Sequence, residues 1–295
     1  MYQFSTRPIK RVAAVHDLSG VGRCALTVVI PVLSALGIQV CPVPTAVLST
    51  QTDGFEGFTF CDLADYIKPI FSHWRANNIG VDCIYTGFLG SVQQIELLVD
   101  IINGTQGALI VVDPVMGDDG TLYPTITSEM SAKMRFLCAV ADVVTPNLTE
   151  CAALLDRPLE GTLTSDDLRK VLNSLCDMGP SVAVITGIPM SGDTLANCAF
   201  DRTHNRYYET RCKKLLQSYP GTGDTFTSVL TGLLLQDYPL EKAMQLATDY
   251  LSATIALTSE MGSQVREGIA LERTLPLLIQ YAQGQWEAAQ AENAT

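Results

Sequence analysis

The segment Pro220-Gly221-Thr222-Gly223-Asp224-Thr225-Phe226 stands directly before an apolar run with helical spacing. Glycines at a helix N-terminus let backbone N–H groups point at one spot, where the helix dipole also favours negative charge. Gly221, Thr222 and Gly223 therefore outline an anion hole without Walker chemistry, and the dipeptide Gly-Lys never occurs in the chain. Asp224 falls in the first helical turn. It reads either as a capping carboxylate or, beside a phosphoryl pocket, as the general base that deprotonates an attacking hydroxyl. Capping alone does not need two flanking glycines.

Two further segments carry chemistry. Asp113-Pro114-Val115-Met116-Gly117-Asp118-Asp119-Gly120 follows a buried apolar run. It is either a solvated acidic turn or a pair of strand-exit carboxylates, Asp113 and Asp118, that serve a hard cation. Thr145-Pro146-Asn147-Leu148-Thr149-Glu150 ends another apolar run. Asn147 with Glu150 three residues later has the spacing of a capping box, which needs no function.

The elements that must hold these segments alternate between strand and helix. Val12–Val15, Ile38–Val43, Asp82–Thr86, Ala108–Val112, Val143–Val144 and Val182–Thr186 read as strands, several of them apolar without alternation and so buried on both faces. Helices are expected over about 24–36 (closed by Gly37), 62–77, 91–103, 128–140, 148–155 and 165–178. Leu195–Phe200 and Asn205–Thr210 predict an antiparallel hairpin, followed by helices over about 223–236, 240–258 and 269–282 and a fraying tail after Gly284. The expected architecture is one α/β domain over residues 1–295: a mostly parallel sheet with helices on both faces, ending in the hairpin. In such a sheet the ligand sits beyond the carboxyl ends of the strands. Those exits are His16-Asp17, Thr86-Gly87, Asp113-Pro114, Thr145-Pro146-Asn147 and Thr186-Gly187.

Composition narrows the function classes. With 47% hydrophobic and 17% charged residues, the chain has ample material for a core. A net charge of −12 and no basic cluster larger than Arg211, Lys213 and Lys214 disfavour nucleic acid as a partner. No apolar stretch approaches the roughly 20 residues of a membrane span, and the N-terminus lacks the apolar core of a signal peptide. Nine cysteines, odd in number and without a Cys-x-x-Cys, are expected as free thiols in a reducing cytoplasm. The three histidines are too scattered for a zinc site. Gly20-Val21-Gly22-Arg23-Cys24-Ala25 has the outline of a dinucleotide fingerprint, but no acidic residue follows about 20 positions later.

Taken in order, Asp-Pro-Val-Met-Gly-Asp, Thr-Pro-Asn-x-x-Glu and Gly-Thr-Gly-Asp resemble the ribokinase-type superfamily of small-molecule kinases, and within it the pyridoxal kinases. The resemblance spans roughly residues 11–260. It implies that Asp224 is the catalytic base and that Gly221, Thr222 and Gly223 bind the transferring phosphoryl group of ATP. It implies further that Asp118 and Glu150 organise Mg²⁺ against the ATP phosphates. Asp113, Thr145 and Thr186 then neighbour a monovalent cation, K⁺ or Na⁺, and Thr186 and Gly187 run along the nucleotide. A homodimer is the implied assembly.

The acceptor end departs from that pattern. Pyridoxal kinases usually carry a serine just after the first strand, whereas His16-Asp17-Leu18-Ser19-Gly20 has an Asp-x-Ser-Gly core that resembles the related hydroxymethylpyrimidine kinases. Those enzymes generally replace the base aspartate with cysteine, so Asp224 and Gly117-Asp118 favour pyridoxal. Asp17 or Ser19, with Thr52 and Asp224, are the candidates for holding the ring; a simple turn-and-cap role is the alternative. A hydroxymethylpyrimidine kinase, a sugar kinase of the same fold and a non-catalytic vitamin-binding protein are the rival readings.

Overall fold

The computed structural model describes residues 8–159, 163–215 and 218–283. In chain order the elements are β1 (Arg11–Ser19), α1 (Leu26–Ala35), β2 (Gln39–Leu48), β3 (Phe60–Asp62), α2 (Ala64–Ala76), β4 (Cys83–Thr86), α3 (Val92–Asn103) and β5 (Leu109–Val112). Next come the short strands β6 (Gly117–Asp118) and β7 (Thr121–Leu122), then α4 (Ser128–Ala139), β8 (Val143–Val144), α5 (Leu148–Leu155) and α6 (Ser165–Asp177). The chain continues with β9 (Val182–Pro189), β10 (Thr194–Asp201), β11 (Arg206–Lys213), α7 (Thr222–Leu235), α8 (Leu240–Glu260) and α9 (Leu275–Ala282).

Among the described residues nine strands form one sheet in the order β11-β10-β9-β8-β5-β4-β1-β2-β3, and β6 and β7 form a separate hairpin. The strands from β2 to β9 in that order run parallel; β3 at one edge and β10 and β11 at the other are antiparallel. The expected parallel sheet with a C-terminal hairpin is therefore present. Alternation along the strands sends successive side chains to opposite faces. Ala13, Val15, Ile84, Ile110, Val112 and Val144 pack under α2 to α6. Val12, Ala14, Cys83, Tyr85, Val111 and Val143 pack under α1, α7, α8 and α9.

The main differences from the sequence reading each have a physical reason. β9 does not end at Thr186-Gly187; the pairing shifts register there and the strand runs on to Pro189, still held by β10. β1 does not end at His16-Asp17; it bulges between His16 and Leu18 and runs on to Ser19, still paired with β2. β2 continues through Pro42 and Pro44 to Leu48, which is allowed because β3 pairs only from Ala46 onward and leaves the outer edge at both prolines free. Strands β3, β6 and β7 are two or three residues long and carry no periodicity to read. The expected helix over 269–282 starts only at Leu275, since Pro276 lies in its first turn and cannot continue a helix from upstream. The tail expected to fray lies outside the described residues. No described helix is long and apolar enough to cross a membrane.

Candidate active site

Gly221 caps α7 in the left-handed conformation, φ 79°, and a Cβ there would stand 2.0 Å from the Arg23 carbonyl oxygen. Only glycine fits both constraints. Thr225 closes the first turn, its N–H and hydroxyl both donating to the Gly221 carbonyl at 3.0 and 2.7 Å. The N–H groups of Thr222 and Gly223 have no acceptor within the helix and point outward. Gly223 is exposed, and a Cβ built on it meets nothing nearer than Asp113 Oδ2 at 3.9 Å. The exposed backbone at the start of α7 thus lies beside Asp113.

Asp224 does not cap its own helix; no side chain accepts a backbone N–H at the N-cap of α7. Its Oδ2 instead accepts the Ala25 N–H at 2.9 Å, from the residue that precedes α1. Ala25 sits at φ 48°, ψ −132°, a conformation that costs a non-glycine residue about 1–3 kcal/mol. Strain at Ala25 is therefore spent on a donor aimed at Asp224. Burial pushes the Asp224 carboxyl up, against the pull of that donor. Its side chain keeps 15% exposure, enough to meet a ligand.

On the acceptor side, Ser19 donates to Asp17 Oδ2 at 2.9 Å, and both residues are buried. Burial, helped by the negative charge of Asp224, pushes the Asp17 carboxyl up to about 6. The Cys24 thiol is pushed up by burial and by the same two carboxylates. The loop between β2 and β3 is pinned by Gln51, whose N–H donates to the Val21 carbonyl at 2.8 Å. Its side chain donates to the carbonyls of Asp53 and Arg266. Thr52 is exposed on this loop, and no hydrogen bond among the described residues joins it to Asp17, Ser19 or Asp224.

The opposite side is a closed network. Asn147 and Glu150 form the expected capping box at the start of α5. Glu150 is also buried, and its carboxylate accepts both the Asn147 N–H at 2.8 Å and the Met116 N–H at 3.0 Å. Asn147 Nδ2 donates to the Gly117 carbonyl at 2.8 Å, and the Gly120 N–H donates to Thr149 Oγ1 at 2.8 Å. The acidic turn is thereby a hairpin fastened to α5, with Asp118 exposed at its end. Asp113 is buried at the exit of β5, where burial and the charges of Glu150 and Asp224 push its carboxyl well up. Thr227 of α7 donates to Thr145 Oγ1 at 3.0 Å. The Thr186 N–H donates to the Pro146 carbonyl at 3.0 Å. Gly187, at φ 66°, donates its N–H to Asn197 Oδ1 at 2.9 Å.

The sheet thus brings Asp17, Ser19, Asp113, Thr145 and Asp224 to one end of adjacent strands, with Asp118 and Glu150 alongside. The sequence marks His16 as a strand exit and Gln51 as the neighbour of Thr52 without giving either a role, and it does not mark Ala25, Asn197 or Thr227 as site residues. The glycine-rich turn over residues 20–25 is the signal that runs up to Ala25. Asn197 lies mid-strand and Thr227 mid-helix, where a polar residue carries no motif. The side chains of Asp113, Asp118, Thr145 and Glu150 offer only carboxylate and hydroxyl oxygens. Among the described residues no three His, Cys, Asp or Glu side chains come close enough to cage a metal by themselves.

The phosphomethylpyrimidine kinase family model matches residues 30–268. A Bacteroides thetaiotaomicron protein described as a candidate phosphomethylpyrimidine kinase superposes with a TM-score of 0.89 at 45% identity, covering 94% of this chain and 96% of that one. Its crystal form with pyridoxal gives 0.88 at 46% identity, over 92% and 96%. Pyridoxal kinase from Lactobacillus plantarum gives 0.87 at 31% identity, over 94% and 99%. The thiamine biosynthetic bifunctional enzyme of Arabidopsis thaliana is 24% identical over 263 residues, 87% of this chain and 48% of that one. The chain spans about half the length of this and two further curated relatives. The fold is the ribokinase-like one, and the chain belongs to the phosphomethylpyrimidine kinase family.

Proposed function

We propose that the protein is an ATP-dependent kinase that phosphorylates the hydroxymethyl group of a flat nitrogen heteroaromatic, with pyridoxal, pyridoxine or pyridoxamine as the preferred acceptor. The observation that carries this reading is the Asp224 carboxylate at the glycine-framed start of α7, held by Ala25 and close to Asp17. In this reading Asp17, Ser19 and Thr52 hold the ring. Asp224 takes the hydroxyl proton, the alcohol oxygen bonds to the γ-phosphorus of ATP, and the bond to the bridging oxygen breaks to release ADP. Gly221, Thr222 and Gly223 face the charge on the transferring group.

Asp118 and Glu150 would hold Mg²⁺, chiefly through water. Their oxygen-only chemistry fits an ion that keeps several waters and binds with substrate phosphates rather than in a protein cage. The ion supplies charge neutralisation on the phosphates. Thr186 and Gly187 line the nucleotide, and Asp113, Thr145 and Thr186 neighbour a K⁺ or Na⁺ ion. The same reading carries a cytoplasmic homodimer.

Hydroxymethylpyrimidine is the second reading, favoured by Asp17-Leu18-Ser19-Gly20 and by the family's description. Pyridoxal is placed first because the 46% identical neighbour was crystallised with it and because Asp224 is a carboxylate. The test is incubation with Mg·ATP and each alcohol, with detection of ADP and phosphorylated product. Vitamers should exceed the pyrimidine in kcat/KM, and EDTA should stop the reaction until Mg²⁺ is restored. No product from any alcohol would leave the non-catalytic binding protein as the better account.

A further inference from the structure

His16 is fully buried in β1, and neither ring nitrogen has a hydrogen-bond partner of ordinary geometry. An orphaned polar group of this kind requires an explanation. The ring stands edge-on to Tyr85, with centroids 4.4 Å apart, and its Nδ1 lies 3.9 Å from Asp224 Oδ1. That is the oxygen left over after Ala25 has taken Oδ2. A second observation shows that the imidazole is accommodated by design. A Cβ on Gly87 would stand 2.2 Å from Nδ1, so the exit of β4 must be glycine for the ring to lie where it does. The acceptors around it are the Asp224 carboxylate and the Tyr85 main chain.

We propose that His16 is the positioning residue of Asp224: a neutral imidazole carrying its proton on Nδ1, which closes onto Oδ1 when the acceptor alcohol binds and fixes the carboxylate for proton abstraction. The inference rests on the reading of Asp224 as the base. A contact of 3.9 Å is too long for a hydrogen bond, but such bonds are commonly long in the free enzyme and tighten in the complex. The ring acts as a neutral donor rather than a cation, because burial pushes it down to about 3. A donor on the second oxygen favours the ionised carboxylate, opposing the burial that pushes Asp224 up. The other titratable groups that sense Asp224 are Asp17 from β1, Cys24 before α1, Tyr85 from β4, Asp113 after β5 and Tyr123 after β7.

The test compares His16→Leu, which fills the space without a donor, with His16→Asn, which retains an N–H near the Nδ1 position. His16→Leu should lower kcat about tenfold to a hundredfold, with KM for ATP unchanged and the acid limb of the pH–rate profile moved upward. His16→Asn should recover most of the loss. Equal impairment in both, or a kcat within twofold of wild type for His16→Leu, overturns the proposal. A ¹⁵N spectrum of the wild-type protein reads the ring directly and does not depend on how the variants fold. Three histidines make the assignment simple. A protonated Nδ1 that shifts on adding pyridoxine with a non-hydrolysable ATP analogue supports the proposal, and a ring protonated only on Nε2 overturns it. Wild-type inactivity toward every alcohol would sink the kinase reading instead, while the ring's tautomer would still decide the orientation of His16.

Discussion

Around Glu150 both carboxylate oxygens accept backbone N–H groups, and Asn147 and Thr149 tie the neighbouring hairpin down. Around Asp224 the construction is different: neither ring nitrogen of His16 has a hydrogen bond of ordinary geometry, and Ala25 holds φ 48°, ψ −132°, outside the left-handed helical region. The first region has its backbone donors paired in the free protein, although burial pushes the Glu150 carboxyl up to about 8. The second holds strain and unpaired groups whose energy is recovered only when something binds, the arrangement expected where chemistry occurs. Substitutions in the first region should therefore cost stability beside any ligand contact they remove, and those in the second should cost rate with stability kept or raised.

The largest effect should come from Asp224→Asn. Asparagine keeps the shape and can still accept the Ala25 N–H, so only the proton acceptor and one charge are removed. Under the catalytic reading kcat falls about 10²–10⁴-fold, while ATP affinity and Tm change little. A near-native kcat would break the comparison at its centre.

Glu150→Ala tests the other region. It strands the buried N–H groups of Met116 and Asn147 and dissolves the capping box, a loss of roughly 2–4 kcal/mol. Thermal unfolding should show a Tm several degrees lower. If Glu150 also holds Mg²⁺, activity falls in the same variant; a Tm that does not move would show that its contacts to Met116 and Asn147 do not fasten the hairpin.

Gly223→Ala lies between the two regions and sharpens the line. The added Cβ meets only Asp113 Oδ2 at 3.9 Å, and alanine favours a helix over glycine by up to about 1 kcal/mol. Stability should hold or rise. If a phosphoryl group approaches this backbone closely, the methyl group obstructs it, and kcat/KM for ATP should drop about tenfold or more, the scale of a misplaced reactant. Unchanged kinetics would place the anion elsewhere.

The two regions were also unequally legible. Gly-Thr-Gly-Asp and the Asn147/Glu150 box are local patterns, and the exits of β5 and β8 are marked by proline, so the strand ends could be read directly. The second use of Glu150 could not be read, because Met116 is 34 residues away and offers only its backbone. His16 sits in an apolar strand as one of three scattered histidines, and nothing in its neighbours says that Gly87 makes room for it. The orphaned ring and the strained Ala25 are products of tertiary packing. No window of the sequence contains them.

The smallest effect, and the one that best separates rate from stability, is Asp17→Asn. The wild-type carboxyl is pushed to about 6 from its ordinary 3.8, first by burial and then by Asp224. Folding thus binds a proton between those values: stability falls as pH rises from 3.8 to 6, and the full penalty of an ionised Asp17 is present above 6. At 1.36 kcal/mol per pH unit the penalty is at most about 3 kcal/mol. Asparagine carries no such charge and can still accept the Ser19 hydroxyl. Asp17→Asn should therefore raise Tm by a few degrees at pH 7.5, and the gap should close as pH falls to about 4. If Asp17 holds the ring, KM for the vitamer rises in the same variant while KM for ATP stays put. A Tm that falls at pH 7.5, or a gap that widens toward acid, would show that the ionised carboxylate is stabilised in the folded protein and that this side of the site is not under strain.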